Sequence, residues 1–587
     1  MTKTVQVRKN KQARKPSSIP MGNGRYYVLM TFLSCAFLAL FARAAYLQVD
    51  ESQVLNNKAD SRSVRNKQIT THRGVIYDRN GIELAVSVPV KSVWMDVTKV
   101  MEKSPTLSED DWNSLAVIAK KTPQEFKQWI VKRKGKQFVW VARHLDPKRA
   151  NLVKTLSLPG VHLRDEFRRY YPSAEIAAHL VGFTDVDDKG REGLERAFNE
   201  HLSGTHGEEK VRLDLQRRVI EQQELVKKAE KGQDLYLSID SRIQALAYKA
   251  LKTAVLKHRA KSGSLVMIDI ETGEVLSLIS QPSYNPNRWD SRHPQFTRNS
   301  AFIDSFEPGS TAKPFTVASA LEAGVVNPST KVNTSPGRIK LNGFTIKDGK
   351  NHGVLDVSGI LQKSSNVGVT KLALMMNDDE FLNAFYRVGF GADTASGFPG
   401  ESSGRINIRD NWSDMEKGIF SYGYGFSVTP VQLAQAYAVL GGYGVKRPLS
   451  LLKQENRNQG EQVLSRNVSQ QVIAMMETVV AEGGTGQKAK VDGYRIAGKT
   501  GTARKAKNGG YGDDYTVFFA GIAPVSDPKI AMVIFVDDPK SDEYYGGQVA
   551  APVFAKVVAE TLRLLNVKPD QTSNFALNKG SKGGGNG

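Results

Sequence analysis

Residues Tyr26 to Ala42 read YYVLMTFLSCAFLALFA, seventeen residues without a charge, and no acidic residue precedes Asp50. No other feature limits the chain so strongly. The run is close to the shortest helix that spans a bilayer, and Ala44–Val49 can extend it past Arg43, whose long side chain can reach back to the interface. Seven Lys and Arg (Lys3, Arg8, Lys9, Lys11, Arg14, Lys15, Arg25) come before it, which predicts a cytoplasmic N-terminus. Positive-inside topology suffices to explain that block; contact with anionic lipid or a cytoplasmic partner is the other reading. Ala42-Arg43-Ala44 also resembles a signal-peptide cleavage site. The apolar run exceeds the usual signal core and continues through Ala45, Tyr46 and Leu47, so an uncleaved anchor over residues 26–47 is the expectation. Either way the bulk of the chain is exported. That argues against nucleic acid as a partner, although the net charge is +21.

Cys35 is the one cysteine and lies in the apolar run, which excludes an internal disulfide scaffold and a thiolate zinc site. The nine histidines show no metal-ligand spacing. At 587 residues the exported part has room for more than one folded unit. Residues near 50–68 read as a stalk. Arg73–Gly81 suggests a strand ending in an Asn-Gly turn, and Leu84–Val90 resumes as strand. Residues 105–155 carry lysine-rich helical patterns, in which Lys132–Lys136 reads as a solvated face. Arg168–Pro172 through Glu195 mixes loop and short helix.

A second unit begins near Gly232. Asp234–Ile239 alternates as a strand, and Asp240 can cap a helix over Ser241–His258. Ser264–Ile270 and Glu274–Ser280 form a hairpin pattern. Three more β-rich runs come late, at Tyr494–Ala503, Thr516–Ala523 and Ile530–Val536, followed by an amphipathic helix over Val553–Leu565. Five strands divided between the two ends of a segment, with helices between, predict an α+β domain whose sheet joins both ends. The polar tail after Asn566 reads as disordered.

Three segments carry chemistry. In Glu307-Pro308-Gly309-Ser310-Thr311-Ala312-Lys313-Pro314, the Pro-Gly pair breaks the chain and a helix starts near Thr311. That puts Ser310 at a helix N-terminus with Lys313 one turn on. A serine needs a base to become a nucleophile, and lysine serves if burial or positive neighbours lower its pKa. Lys363-Ser364-Ser365-Asn366 offers a hydroxyl and an amide two residues apart. Gly498-Lys499-Thr500-Gly501-Thr502 lies in a β-rich run, where Gly501 lets a ligand backbone approach and Lys499, Thr500 and Thr502 can hold a carboxylate. Taken singly, these segments are more ordinarily a helix cap with a surface lysine, a second cap, and an edge strand.

In this order they match the S-x-x-K, S-x-N, K-T-G set of penicillin-recognising serine enzymes. The chain resembles the class B penicillin-binding proteins over nearly its whole length. The likeness includes Arg73-Gly74-x-Ile76-x-Asp78-Arg79-x-Gly81, Arg169-x-Tyr171-Pro172, Gly193-Leu194-Glu195, Gly263–Asn287, Tyr422-Gly423-Tyr424-Gly425 and Thr429-Pro430. Asn366 and Thr500 are similar to the division enzyme of the family rather than to its elongation counterpart.

The resemblance implies a basic tail (1–25), a transmembrane anchor (26–47), an elongated dimerisation-type pedestal (48–231), a transpeptidase domain with a five-stranded antiparallel sheet flanked by helices (232–566), and a flexible end (567–587). It implies Ser310 as acyl carrier, Lys313 as base, Ser364 and Lys499 as proton relay, and Asn366 as the residue that holds the substrate amide and helps position Lys313. Thr500, Gly501 and Thr502 would hold the substrate, and the backbone N–H groups of Ser310 and Thr502 the oxyanion. No cofactor is implied. The implied ligands are peptidoglycan stem peptides and β-lactams, the latter covalent at Ser310. The implied partners are a SEDS-family (FtsW-like) glycosyltransferase and other divisome membrane proteins, at the division septum of the bacterial inner membrane, with the catalytic domain periplasmic. Two alternatives stay open. One is a β-lactamase or carboxypeptidase, in which water takes the acyl group and Glu380-Phe381-Leu382-Asn383 faintly resembles a deacylation motif. The other is a non-enzymatic scaffold. Arg169 and Glu195 are either interaction residues or an internal salt bridge.

Overall fold

The computed structural model describes residues 23–571, apart from 104–106, 157, 215–218, 408, 410, 456–458 and 508–509. Six of the seven basic residues of the N-terminal block, all but Arg25, lie outside the described residues, as does the tail beyond Gln571.

The chain divides into two units. The first holds residues up to Thr70 together with His206–Ala229. Helix α1 (Asn23–Val49) extends beyond both ends of the expected anchor and buries none of its residues. Among the described residues it is the one helix long and apolar enough to cross a membrane. A polar helix α2 (Ser52–Ser63) follows where a stalk was expected. Strand β1 (Val64–Ile69) then joins an antiparallel three-stranded sheet.

The second unit contains Thr71–Thr205 and Glu230 onward. After the short strand β2 (Ile76–Tyr77) comes β3 (Glu83–Met95), longer than the Leu84–Val90 run suggests. Helix α3 (Glu109–Ile118) starts in a capping box, with Ser108 accepting from Asp111 N. Then come α4 (Pro123–Val131), β4 (Val139–Leu145), α5 (Pro147–Leu156) and β5 (Val161–Tyr170). Strand β5 corrects the expectation of loop at Arg168–Tyr170. Its pairing with β3 from Val86↔Tyr170 to Met95↔Val161 imposes a strand on a charged sequence. In the first unit β6 (Gly207–Leu213) and β7 (Val219–Lys227) complete the sheet in the order β1–β6–β7.

The segment that opens the expected catalytic domain is tied to the preceding one. Strand β8 (Leu235–Tyr236), shorter than the expected 234–239, runs parallel to β2. Asp78 is fully buried. Its Oδ1 accepts from Asn80 N and Ile82 N, and its Oδ2 accepts from Ser241 N at 3.0 Å. It therefore closes its own turn and, with Asp240, caps α6 (Ser241–Lys257). Arg73, Arg169 and Glu195 form a buried triad: both Nε atoms lie 2.6 Å from the Glu195 carboxylate, and all three side chains are at most 1% exposed. That settles Arg169 and Glu195 as an internal salt bridge.

The five expected strands assemble into one antiparallel sheet. They are β9 (Ser262–Asp269), β10 (Val275–Gln281), β11 (Ala497–Lys507), β12 (Gly510–Ala523) and β13 (Ile530–Asp537), in the order β10–β9–β13–β12–β11. Alternate side chains face opposite layers. Leu265, Met267, Met532 and Ile534 pack with α6 and with α7 (Ala551–Leu564). Val266, Ile268, Ala531 and Val533 pack on the other face against Phe315, Tyr437 and Met476 of the inner helices. Both faces are covered, which is why β13 is buried at every position.

Candidate active site

Three elements meet at the edge strand β11. The Ser310 segment is a 3₁₀ turn, Gly309–Ala312, and the α-helix begins only at Lys313 (Lys313–Glu322). Pro314 falls in its first turn, as the sequence predicts. Ser310 therefore sits two residues ahead of the helix N-cap, Ala312, and is half-exposed.

The turn is held from behind. A Cβ on Gly423 would lie 2.0 Å from Gly309 O. Only a glycine lets the chain pass there, and its φ of +90° suits one. Gly309 N donates to Gly423 O at 2.9 Å, and Tyr437 Oη donates to Thr311 O at 2.9 Å. These contacts explain the Tyr-Gly-Tyr-Gly motif as a support for the nucleophile turn.

Ser364 ends the helix Val357–Lys363 at φ +59°, a left-handed backbone that costs a non-glycine residue on the order of 1–2 kcal/mol. Ser365 caps the next helix, Asn366–Leu374. The serine and the amide thus project from a two-helix junction, as their spacing suggests. Asp348 fixes it: its carboxylate accepts from Ser365 Oγ (2.5 Å), Asn366 N (2.5 Å) and Val367 N (3.0 Å). Sequence reasoning missed Asp348. It lies eighteen residues upstream of Asn366 in an unremarkable turn, with no local signal of its role.

Two lysines converge on Ser364. Lys313 Nζ donates to Ser364 O (2.6 Å) and Asn366 Oδ1 (2.7 Å), and lies 3.2 Å from Ser364 Oγ. Lys499 Nζ donates to Ser364 Oγ at 2.9 Å and to its neighbour's carbonyl, Thr500 O, at 3.1 Å. Both ammonium groups are fully buried. Burial lowers Lys313 to about 7, opposed by the Asp348 carboxylate. Burial and the neighbouring Lys313 charge push Lys499 well below its ordinary value. A neutral lysine beside a hydroxyl is thereby accessible at neutral pH.

Three details differ from the sequence reading. Among the described hydrogen bonds Lys313 makes none to Ser310; it is turned to the Ser364 junction. Asn366 Nδ2 donates to Lys347 O at 3.0 Å, so that side of the amide is engaged within the chain. Gly501 also meets a packing constraint the sequence did not reveal, since a Cβ there would come to 3.0 Å from both Thr311 Cγ2 and Phe518 Cδ2.

The Ser310 face opens into a cleft of about 610 Å³ lined by Ser310, Ser364, Thr500, Thr502 and Tyr545. Thr500 Oγ1 shares a hydrogen bond with Thr485 Oγ1 (2.8 Å), and Thr502 Oγ1 accepts from Gly546 N (3.1 Å). Each threonine hydroxyl is thus oriented by a neighbour while lining the cleft. Glu380 is elsewhere. It completes the capping box of the helix Asp378–Arg387, accepting from Asn377 N, which is the ordinary helix its sequence suggests.

Known proteins place this arrangement. The penicillin binding protein transpeptidase domain family matches residues 263–559, and the penicillin-binding protein dimerisation domain family matches residues 68–237. The peptidoglycan D,D-transpeptidase FtsI of Escherichia coli K12 is 43% identical over 567 residues, covering 96% of each chain. The transpeptidase domain of Burkholderia pseudomallei penicillin-binding protein 3 superposes with a TM-score of 0.53 at 42% identity, covering 57% of this chain and 98% of that one. Mycobacterium penicillin-binding protein 3, solved with aztreonam, superposes with a TM-score of 0.66 at 25% identity, over 86% of this chain and 98% of that one. Three motifs on one cleft, both domain families and a full-length relative agree: the chain belongs to the class B penicillin-binding proteins and within them resembles FtsI.

Proposed function

We propose that this protein crosslinks peptidoglycan at the division septum through an acyl-serine intermediate on Ser310. The observation that carries the reading is the pair of buried lysines on Ser364 Oγ beside the cleft that Ser310 lines.

The donor is a stem peptide ending in D-Ala-D-Ala. Its terminal carboxylate is held by Thr500 and Thr502, with Gly501 keeping the strand close to the nucleophile turn. Neutral Lys313 takes the Ser310 proton as Oγ attacks the penultimate carbonyl. The N–H groups of Ser310 and Thr502 carry the oxyanion, a device worth about 3–4 kcal/mol per donor in serine acyl transfer. The C–N bond then breaks, and the departing D-Ala amine receives a proton through Ser364, with Lys499 beside it. Asn366 keeps Lys313 in place. An amine of a neighbouring stem attacks the ester, yields its proton through the same groups, and restores Ser310. A β-lactam imitates the dipeptide and leaves an acyl group on Ser310; the related enzyme solved with aztreonam supports this.

In this reading α1 anchors the chain in the inner membrane with the N-terminus cytoplasmic and the catalytic unit periplasmic. Residues 48–231 serve as the pedestal, 232–566 as the transpeptidase domain and 567–587 as a tail. A SEDS-family (FtsW-like) glycosyltransferase and other divisome membrane proteins are the partners.

The test is acyl transfer itself. Full-length protein is incubated with a D-Ala-D-Ala stem pentapeptide and a fluorescent D-amino acid as acceptor. The expected result is release of D-Ala and fluorescent exchange product, both absent for Ser310→Ala. Hydrolysed tetrapeptide without exchange product would contradict it in favour of a carboxypeptidase.

A further inference from the structure

Strand β3 outruns β4, the strand that flanks its second half. Strand β5 pairs with it from Val86 to Met95. Strand β4 pairs only from Lys91 to Met95, and β2 only at Glu83 and Ala85. Among the described residues no strand pairs with Val86–Val90 on the side where β4 lies. An unpaired edge inside a sheet is a template for an added strand.

The space beside that edge is a groove of about 780 Å³. Its accessible floor is aliphatic, Val88 and Val90 of β3, with Ile118 at the end of α3 and Leu145 of β4 buried beneath it. Its rim is basic, with Lys120, Arg149 and Arg168 against one lining carboxylate, Asp146, which lies 3.6 Å from Arg149. Arg143 also lines it but is engaged with Glu166 and Asp187. His144 lines the same groove and holds its Nε2 buried without a hydrogen-bond partner.

We propose that this gap is a docking slot for an extended, acidic segment of a partner protein, which adds a short strand to β3 at Val86–Val90. Five residues of strand span about 17 Å. Alternate apolar side chains of the segment rest on Val88 and Val90, while its carboxylates meet Lys120, Arg149 and Arg168. Pro89 withholds one N–H, which keeps the pairing short and protects the edge against self-association. A glycan strand is the poorer occupant, because the floor is aliphatic and the distinctive feature is a row of backbone groups.

The test uses detergent-solubilised full-length protein and a fluorescein-labelled heptapeptide alternating Glu and Val, followed by fluorescence anisotropy. Saturable binding is expected, weakened at least tenfold in Lys120→Glu/Arg149→Glu and lost when alternate amides of the probe are N-methylated. Penicillin labelling of that variant, expected to be unchanged, shows that it is folded. A single-residue variant, Arg168→Glu, provides a second reading with the same expected direction. Absence of saturable binding, or affinity indifferent to charge reversal or to N-methylation, would overturn the proposal. So would displacement of the probe by purified muropeptides, which would give the groove to carbohydrate.

Discussion

Ser364 Oγ lies within 3.2 Å of two lysine nitrogens that are both buried, so the two charges compete for one hydroxyl. With Lys313 brought down to about 7, a usable fraction of it is neutral at physiological pH. The sign follows directly. The base must be deprotonated, so acylation by penicillin should rise about tenfold per pH unit below 7 and level off above it. Lys313→Arg should abolish acylation at every pH, since a guanidinium stays protonated. Stopped-flow labelling between pH 5.5 and 9 checks both; a rate flat across that range would remove Lys313 as base.

At the scale of elements, the nucleophile turn depends on glycines chosen for close approach. Gly423→Ala places a methyl into Gly309 O and should cut the acylation rate tenfold or more, while the protein still folds. Labelling rate measured alongside thermal melting separates these effects; an unchanged rate would mean the turn is not held from behind. The sequence allowed much of this to be read. The five core strands are apolar runs of β length, and the three motifs carry their residue types at fixed spacing. Strand β5, with the sequence VHLRDEFRRY, does not read as a strand, because its conformation comes from pairing with β3 rather than from its own pattern. Asp348 is invisible for a related reason: it acts on residues eighteen positions away that only the fold brings near. Glycine 501 was legible as a position needing no side chain, but the neighbours that require this, Thr311 and Phe518, were not.

At the scale of the molecule, the segment that precedes the catalytic one is knit together by the buried charges of Arg73, Arg169 and Glu195. Removing one partner of such a group leaves a charge without compensation, at about 3–5 kcal/mol. Glu195→Ala, which strands Arg73 and Arg169, should lower the unfolding free energy by that amount in denaturant titration. Glu109→Ala, which breaks an exposed pair with Lys127, should change it by less than about 1 kcal/mol. Equal effects would mean that the triad is not what holds this segment together. The proposed reaction requires Ser310 to be a lasting acyl carrier. The most direct measurement is fluorescent penicillin labelling of the full-length protein and of Ser310→Ala, chased over hours. Label that persists on the protein and is absent from the variant is the predicted result. Label on neither form, or label lost within minutes, would contradict it.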